Sequence, residues 1–345
     1  MRGAGCLLCF CVAALACGGR APVEAGGDGG PNPVITPDGG PTADCTGLLP
    51  APPGTAMAFD VQPGNGESCS ATAIDGEGAV AADAESSGPT TWFVFGTNGT
   101  RTGTFRSPVL FAQPKGFIGL ALSGNDTLVA LWDDYGVMWN PYASPSTDVV
   151  LGLAYGPGVI SVSATSAQST VRKHDAQALE VVSATVPGAY VPRGAAEGAS
   201  GAVLVLTGAG TEVSGLWVDL TRGTSGQPFA IGTATSVFAR PLLGGGVAVR
   251  LDSSWAGMMK PGDSTLHPAP AWLGGSSDFV PVRAGKAYEL LKAGNAVDLV
   301  SVQGNACGTV TFPGVTSVAI GLDGSVVGST GEKGCTKFVW RDVLR

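Results

Sequence analysis

The chain repeats itself at multiples of about forty residues, and that period limits what it can build. Residues 73 to 95 read AIDGEGAVAADAESSGPTTWFVF, and residues 319 to 341 read AIGLDGSVVGSTGEKGCTKFVWR. Aligned without a gap, Ile74 falls on Ile320, Gly78 on Gly324, Val80 on Val326, Gly88 on Gly334 and Thr90 on Thr336. The closing run Trp92, Phe93 and Val94 falls on Phe338, Val339 and Trp340, at an offset of 246, or six periods of 41. A second match sets VALWDDYGVMWNP (129 to 141) against VRLDSSWAGMMKP (249 to 261), with Val129 on Val249, Leu131 on Leu251, Met138 on Met258 and Pro141 on Pro261. Its offset of 120 is three periods of 40, so two separate matches agree on one repeat. A unit of that size cannot bury both faces alone and must stack on its neighbours.

The units read as strands. With 54 glycines, 24 prolines and only 13% charged residues, the chain lacks the Glu, Lys and Arg that surface helices need. It offers apolar runs broken by Gly, Asp and Asn turns instead, as in GFIGLALSGNDTLVALWDDYGVMW. Units begin near residues 72, 117, 149, 199, 236, 278 and 316. The expected fold is therefore an all-β β-propeller with seven blades, six and eight being the neighbouring counts. Phe105 and Phe312 mark fourth strands, and Phe59 stands in a similar setting ahead of the first unit. The last unit reaches Arg345 with three strands, so residues 55 to 61 are expected to supply its fourth, an N-terminal strand closing the ring.

Ahead of the repeats, residues 1 to 16 carry Arg2 and then an uncharged apolar stretch too short to span a membrane, the pattern of a signal peptide. The stretch ends in Ala14, Leu15, Ala16 and Cys17, which resembles the lipobox of bacterial lipoproteins, with Ala14 where Leu is usual. The resemblance implies cleavage before Cys17 and acylation of its thiol, so that the membrane is a partner through an N-terminal lipid. Gly18 rather than Asp follows, which in such lipoproteins implies the outer membrane, facing periplasm or cell surface. Residues 17 to 44 then read as anchor and disordered tether, rich in Gly, Pro and Asp and without an aromatic residue, and residues 45 to 345 as the propeller domain.

Cys6 and Cys9 form a C-x-x-C inside the segment to be removed, so they are no redox or zinc motif. Cys45, Cys69, Cys307 and Cys335 remain, and export carries them into an oxidising compartment. Four cysteines allow three pairings, of which Cys45 with Cys69 and Cys307 with Cys335 is the expected one.

Catalytic motifs are missing from the domain. There is no G-x-S-x-G, no S-x-x-K, no phosphate loop and no G-x-G-x-x-G, and nothing calls for a cofactor or a metal. His174 reads as a solvated turn residue and His267 as a loop residue. Asp133 and Asp134 are adjacent carboxylates between two apolar runs, where a hairpin turn explains them better than glycosidase chemistry. Most of the seven tryptophans are expected in the core between blades. A formal charge of −8 without any Lys or Arg run excludes a nucleic-acid partner. The expectation is a non-enzymatic propeller that binds or scaffolds an envelope protein or glycan. The competing expectation is a propeller enzyme acting on glycans, with acids from separate blades, and a third is a purely structural envelope role.

Overall fold

Each antiparallel meander grows from a simple alternation. In Phe117–Ser123 and Asp126–Trp132, apolar residues enter the core and the Gly124–Asn125 turn, with Gly124 at φ 63°, reverses the chain. A computed structural model describes residue 45 and residues 56–62, 68–69, 72–84, 90–144, 149–282, 287–292, 294–322, 324–330, 334–341 and 343, together with the strand pairing of Val34–Thr36. The expected signal peptide and Cys17 lie outside the described residues.

Among the described residues the fold is all β, with a short 3-10 turn at Ala271–Leu273 and Cys45 in another. Five small sheets form a propeller-like ring, and a sixth, larger sheet is nearly closed and barrel-like, with eight strands on its path. The small sheets span residues 72–106, 110–144, 237–259, 276–311 and 317–340. The large sheet holds two four-stranded meanders whose first strands meet in one parallel pairing, Leu153 with Ala196. Gly152 makes that approach feasible, because a Cβ there would sit 2.0 Å from the Ala195 carbonyl oxygen.

Two N-terminal segments complete C-terminal sheets. Met57–Asp60 pairs antiparallel with Thr336–Trp340, as the reading of residues 55 to 61 expected. Within the stretch read as a tether, Val34–Thr36 pairs with Ala306–Thr311, and Val-Ile-Thr is the most β-prone trio there. Phe59 and Phe105 lie on fourth strands, and Phe312 directly follows one.

The core sits in the seams between successive sheets. Phe105 stacks on Trp132 at 4.9 Å, Phe59 on Phe95 at 4.2 Å, and Phe312 meets Trp340 at 4.9 Å. Each such buried ring contributes roughly 1.5–3 kcal/mol by leaving water. Trp92, Trp132, Trp217 and Trp340 are buried as expected, but Trp139 is 52% exposed on an outer strand.

The structure corrects four sequence readings. The gapless alignment holds through the first hairpin, where Ile74 pairs with Val80 and Ile320 with Val326. It slips by one afterwards, because six residues separate Ala84 from Thr91 and five separate Thr330 from Thr336. Phe95 therefore corresponds to Trp340, and Trp92 to Lys337. In the second match the two segments fall on different strands, since Val129 and Leu131 lie on the third strand of their sheet and Val249 and Leu251 on the second of theirs, so Met138 and Met258 do not correspond either.

The expected disulfides are also overturned. Cys45 bonds to Cys307 and Cys69 to Cys335, with Cα atoms 5.3 and 4.9 Å apart. Sequence neighbours do not pair because each N-terminal segment lies along the outer edge of a C-terminal sheet, next to a cysteine more than 260 residues away. Finally, His174 is not a solvated turn residue. It ends the strand Gln168–His174 fully buried, with Nε2 2.8 Å from Ser161 Oγ, and burial lowers its pKa.

Candidate functional site

One end of the ring gathers the turns that link first to second strands, and they enclose a cavity of about 570 Å³. Residues 112–114, 153–158 and 240–243 supply three turns, and Val280, Pro281 and Leu322 close the wall from the last two sheets. The wall is largely apolar, with prolines at 114, 157, 241 and 281 holding the turns rigid. Its ionisable side chains are Tyr155 and Arg240.

Both are already engaged. Tyr155 donates from its hydroxyl to the Leu243 carbonyl at 3.3 Å, and Arg240 is ion-paired with Asp278 at 2.6 Å. Gln113 accepts from the Gly158 amide at 2.7 Å, which fastens the 110–144 sheet to the next. Glu197 accepts from the Tyr155 amide at 2.8 Å while its other oxygen meets Lys173 at 2.7 Å. Tyr288 accepts from the Leu243 amide at 2.7 Å, and burial raises the pKa of its hydroxyl. A belt of side chains from successive sheets thus holds the cavity rim in shape.

Two carboxylates with raised pKa lie beside this belt. Asp75 is fully buried in the first turn of the 72–106 sheet, and burial pushes it up to about 6 against hydrogen bonds from the amides of Gly116, Ala79 and Glu77. Asp134, from the neighbouring sheet, is raised by its own burial and then by the charge of Glu77. The two carboxylates come from separate sheets, as the glycan-hydrolase reading requires, but Asp75 spends both oxygens on backbone amides.

Asp133 is a turn residue, as its sequence suggested. Its Oδ1 accepts from the amides of Tyr135 and Val137, and its Oδ2 from Trp139 Nε1 at 2.8 Å. His267 sits in an exposed loop beside Asp263 at 3.1 Å. Among the described residues no group of three or more His, Cys, Asp or Glu side chains could hold a metal ion. The four cysteines are brought together in pairs by ring geometry, away from the cavity wall.

No protein-family model matches the chain, and no curated protein matches it.

Sequence reasoning missed Tyr155, Arg240, Gln113, Glu197 and Tyr288, which sit on turns and strand ends without a shared motif. Lys337 carried a readable signal. Shifting the repeat by one residue sets TKFVW under TWFVF and puts a lysine at the buried position of Trp92.

Proposed function

We propose that the chain is an exported, lipid-anchored envelope protein whose seven-bladed propeller binds or scaffolds a partner without catalysing a reaction. The seven-blade count reads each meander of the large sheet as one blade, since two neighbouring blades whose inner strands touch would produce its single parallel pairing. The two disulfides point to an extracytoplasmic compartment. The lipobox-like run ending at Cys17 supports the anchor, and Gly18 the outer membrane.

The observation that carries the binding reading is the cavity wall. Its area is mainly apolar, and its one tyrosine and one arginine are tied to the rim, so it offers shape and a hydrophobic surface without a free acid or base. A protruding apolar group of an envelope protein or glycan conjugate suits it.

Two experiments test this reading. Envelope extracts passed over the immobilised mature chain are expected to leave a component that Leu322→Arg no longer retains, because the new charge enters the cavity wall at a half-exposed position. Equal retention by wild type and variant removes the cavity from the account. For the anchor, radiolabelled palmitate is expected in the wild type and not in Cys17→Ser, and equal labelling refutes lipidation at Cys17.

A further inference from the structure

The end of the ring opposite the cavity carries a second, differently built site. In the 237–259 sheet, Pro241 pairs with Val247 at the cavity end and Val237 with Leu251 at the other. At that other end, two open depressions of about 410 and 530 Å³ share Ser253 and Ser277 and together form a groove along the seam with the 276–311 sheet.

The groove is dense in fixed hydrogen-bonding groups of both signs. Asp252, with φ 51°, holds its carboxylate on the floor through Oδ1, which accepts from Thr235 Oγ1 at 2.6 Å and from the amides of Thr235 and Ser236 at 2.9 and 3.0 Å. The turn's hydrogen bonds all go to Oδ1, and Oδ2 of this exposed residue remains an acceptor for a ligand. Arg250 is pinned by a hydrogen bond from Nη1 to the Ser277 carbonyl and by the rings of Phe238 and Trp255, 5.3 and 5.8 Å from its guanidinium carbon. Its Nε is buried, so what the guanidinium offers a ligand in the groove comes from its outer N–H groups beyond the one held by Ser277. Trp255, half-buried, adds a ring to the wall and is itself fixed by Nε1 donating to the Ser276 carbonyl at 3.1 Å. The hydroxyls of Ser253 and Ser254 line the same surface.

We propose that this groove binds a neutral oligosaccharide. One carboxylate and one guanidinium cancel in charge, which disfavours a free anion or cation as ligand. A prepositioned acceptor, a fixed guanidinium donor and short hydroxyls match the alternating donor and acceptor character of vicinal sugar hydroxyls, and an indole edge suits the apolar face of a pyranose ring. This site is separate from the cavity in residues and in position, so it adds a second ligand class to the protein rather than restating the first.

The test is calorimetric titration of the full chain with cellohexaose, maltohexaose, chitohexaose and mannohexaose, with sodium sulfate as the anion control. At least one hexaose is expected to bind saturably. Asp252→Asn, which keeps the Oδ1 contacts to Thr235 and Ser236 while removing the charge, is expected to weaken it about tenfold, and Arg250→Lys, which removes the planar guanidinium held by Ser277 and the two rings, by a similar factor. Leu322→Arg is expected to leave sugar binding unchanged, and both groove variants are checked for wild-type melting. The proposal is overturned by absence of binding for all four hexaoses, by sulfate binding alone, by equal affinity in the groove variants, or by loss of sugar binding in Leu322→Arg.

Discussion

Replacing Cys69 and Cys335 together with alanine is expected to lower the stability of the protein by about 4 kcal/mol. The two disulfides enclose nearly the same span of chain, so with Cys45–Cys307 intact the remaining circuit runs only through residues 45–69 and 307–335, a loop of roughly 50 residues, and loop entropy depends on its logarithm. Removing all four cysteines frees both ends of a ring more than 260 residues long and is expected to cost clearly more than either pair alone. Denaturant unfolding of the two double variants and the quadruple variant checks this. Additive losses of a few tenths of a kcal/mol would show that strand pairing by Met57–Asp60, not the bonds, holds the ends together.

The second large effect is expected at Lys337, whose side chain is fully buried in the seam between the last and first sheets. Its Nζ donates to the Cys69 carbonyl at 2.8 Å, Ser329 Oγ at 2.8 Å and Thr72 Oγ1 at 3.0 Å, and it faces the buried Asp83. Lys337→Met keeps the volume but takes the positive charge away from Asp83 and the donor away from three acceptors, so a loss of about 3–5 kcal/mol is expected at pH 7.

Burial drives the Lys337 pKa down to about 8 from an ordinary 10.5. Between those values the unfolded chain binds more protons than the folded one, so the wild type gains stability from this group as pH rises from 8 to 10.5. Below pH 8 the cost of burying the ammonium is fully present. The stability gap between wild type and Lys337→Met is therefore expected to widen from pH 8 to 10. A variant as stable as wild type, with the same pH slope, would contradict this role.

Much of the architecture was legible because it rests on local alternation. Strand units begin at Thr72, Val149, Val237, Ser276 and Ser317, beside the expected 72, 149, 236, 278 and 316. The other two expectations, 117 and 199, mark second strands instead. Their first strands, Leu110–Ala112 and Pro192–Glu197, are respectively three residues long and opened by Pro and Gly, so neither shows a clear apolar alternation.

The site was not legible, for a different reason. Tyr155, Arg240 and Leu322 stand far apart in sequence and share a wall only because turns at the same end of successive sheets converge. The disulfide pairing failed on the same ground, since sequence proximity says nothing about which sheet edge an N-terminal strand will join.

Ring geometry and export meet in those two bonds, so their mapping tests the account most directly. Protein isolated from its host under non-reducing, thiol-blocked conditions should yield, on proteolysis and mass spectrometry, peptides linking Cys45 to Cys307 and Cys69 to Cys335. Four free thiols, or bonds from Cys45 to Cys69 and from Cys307 to Cys335, would contradict a ring whose N-terminal segments lie on its C-terminal sheets.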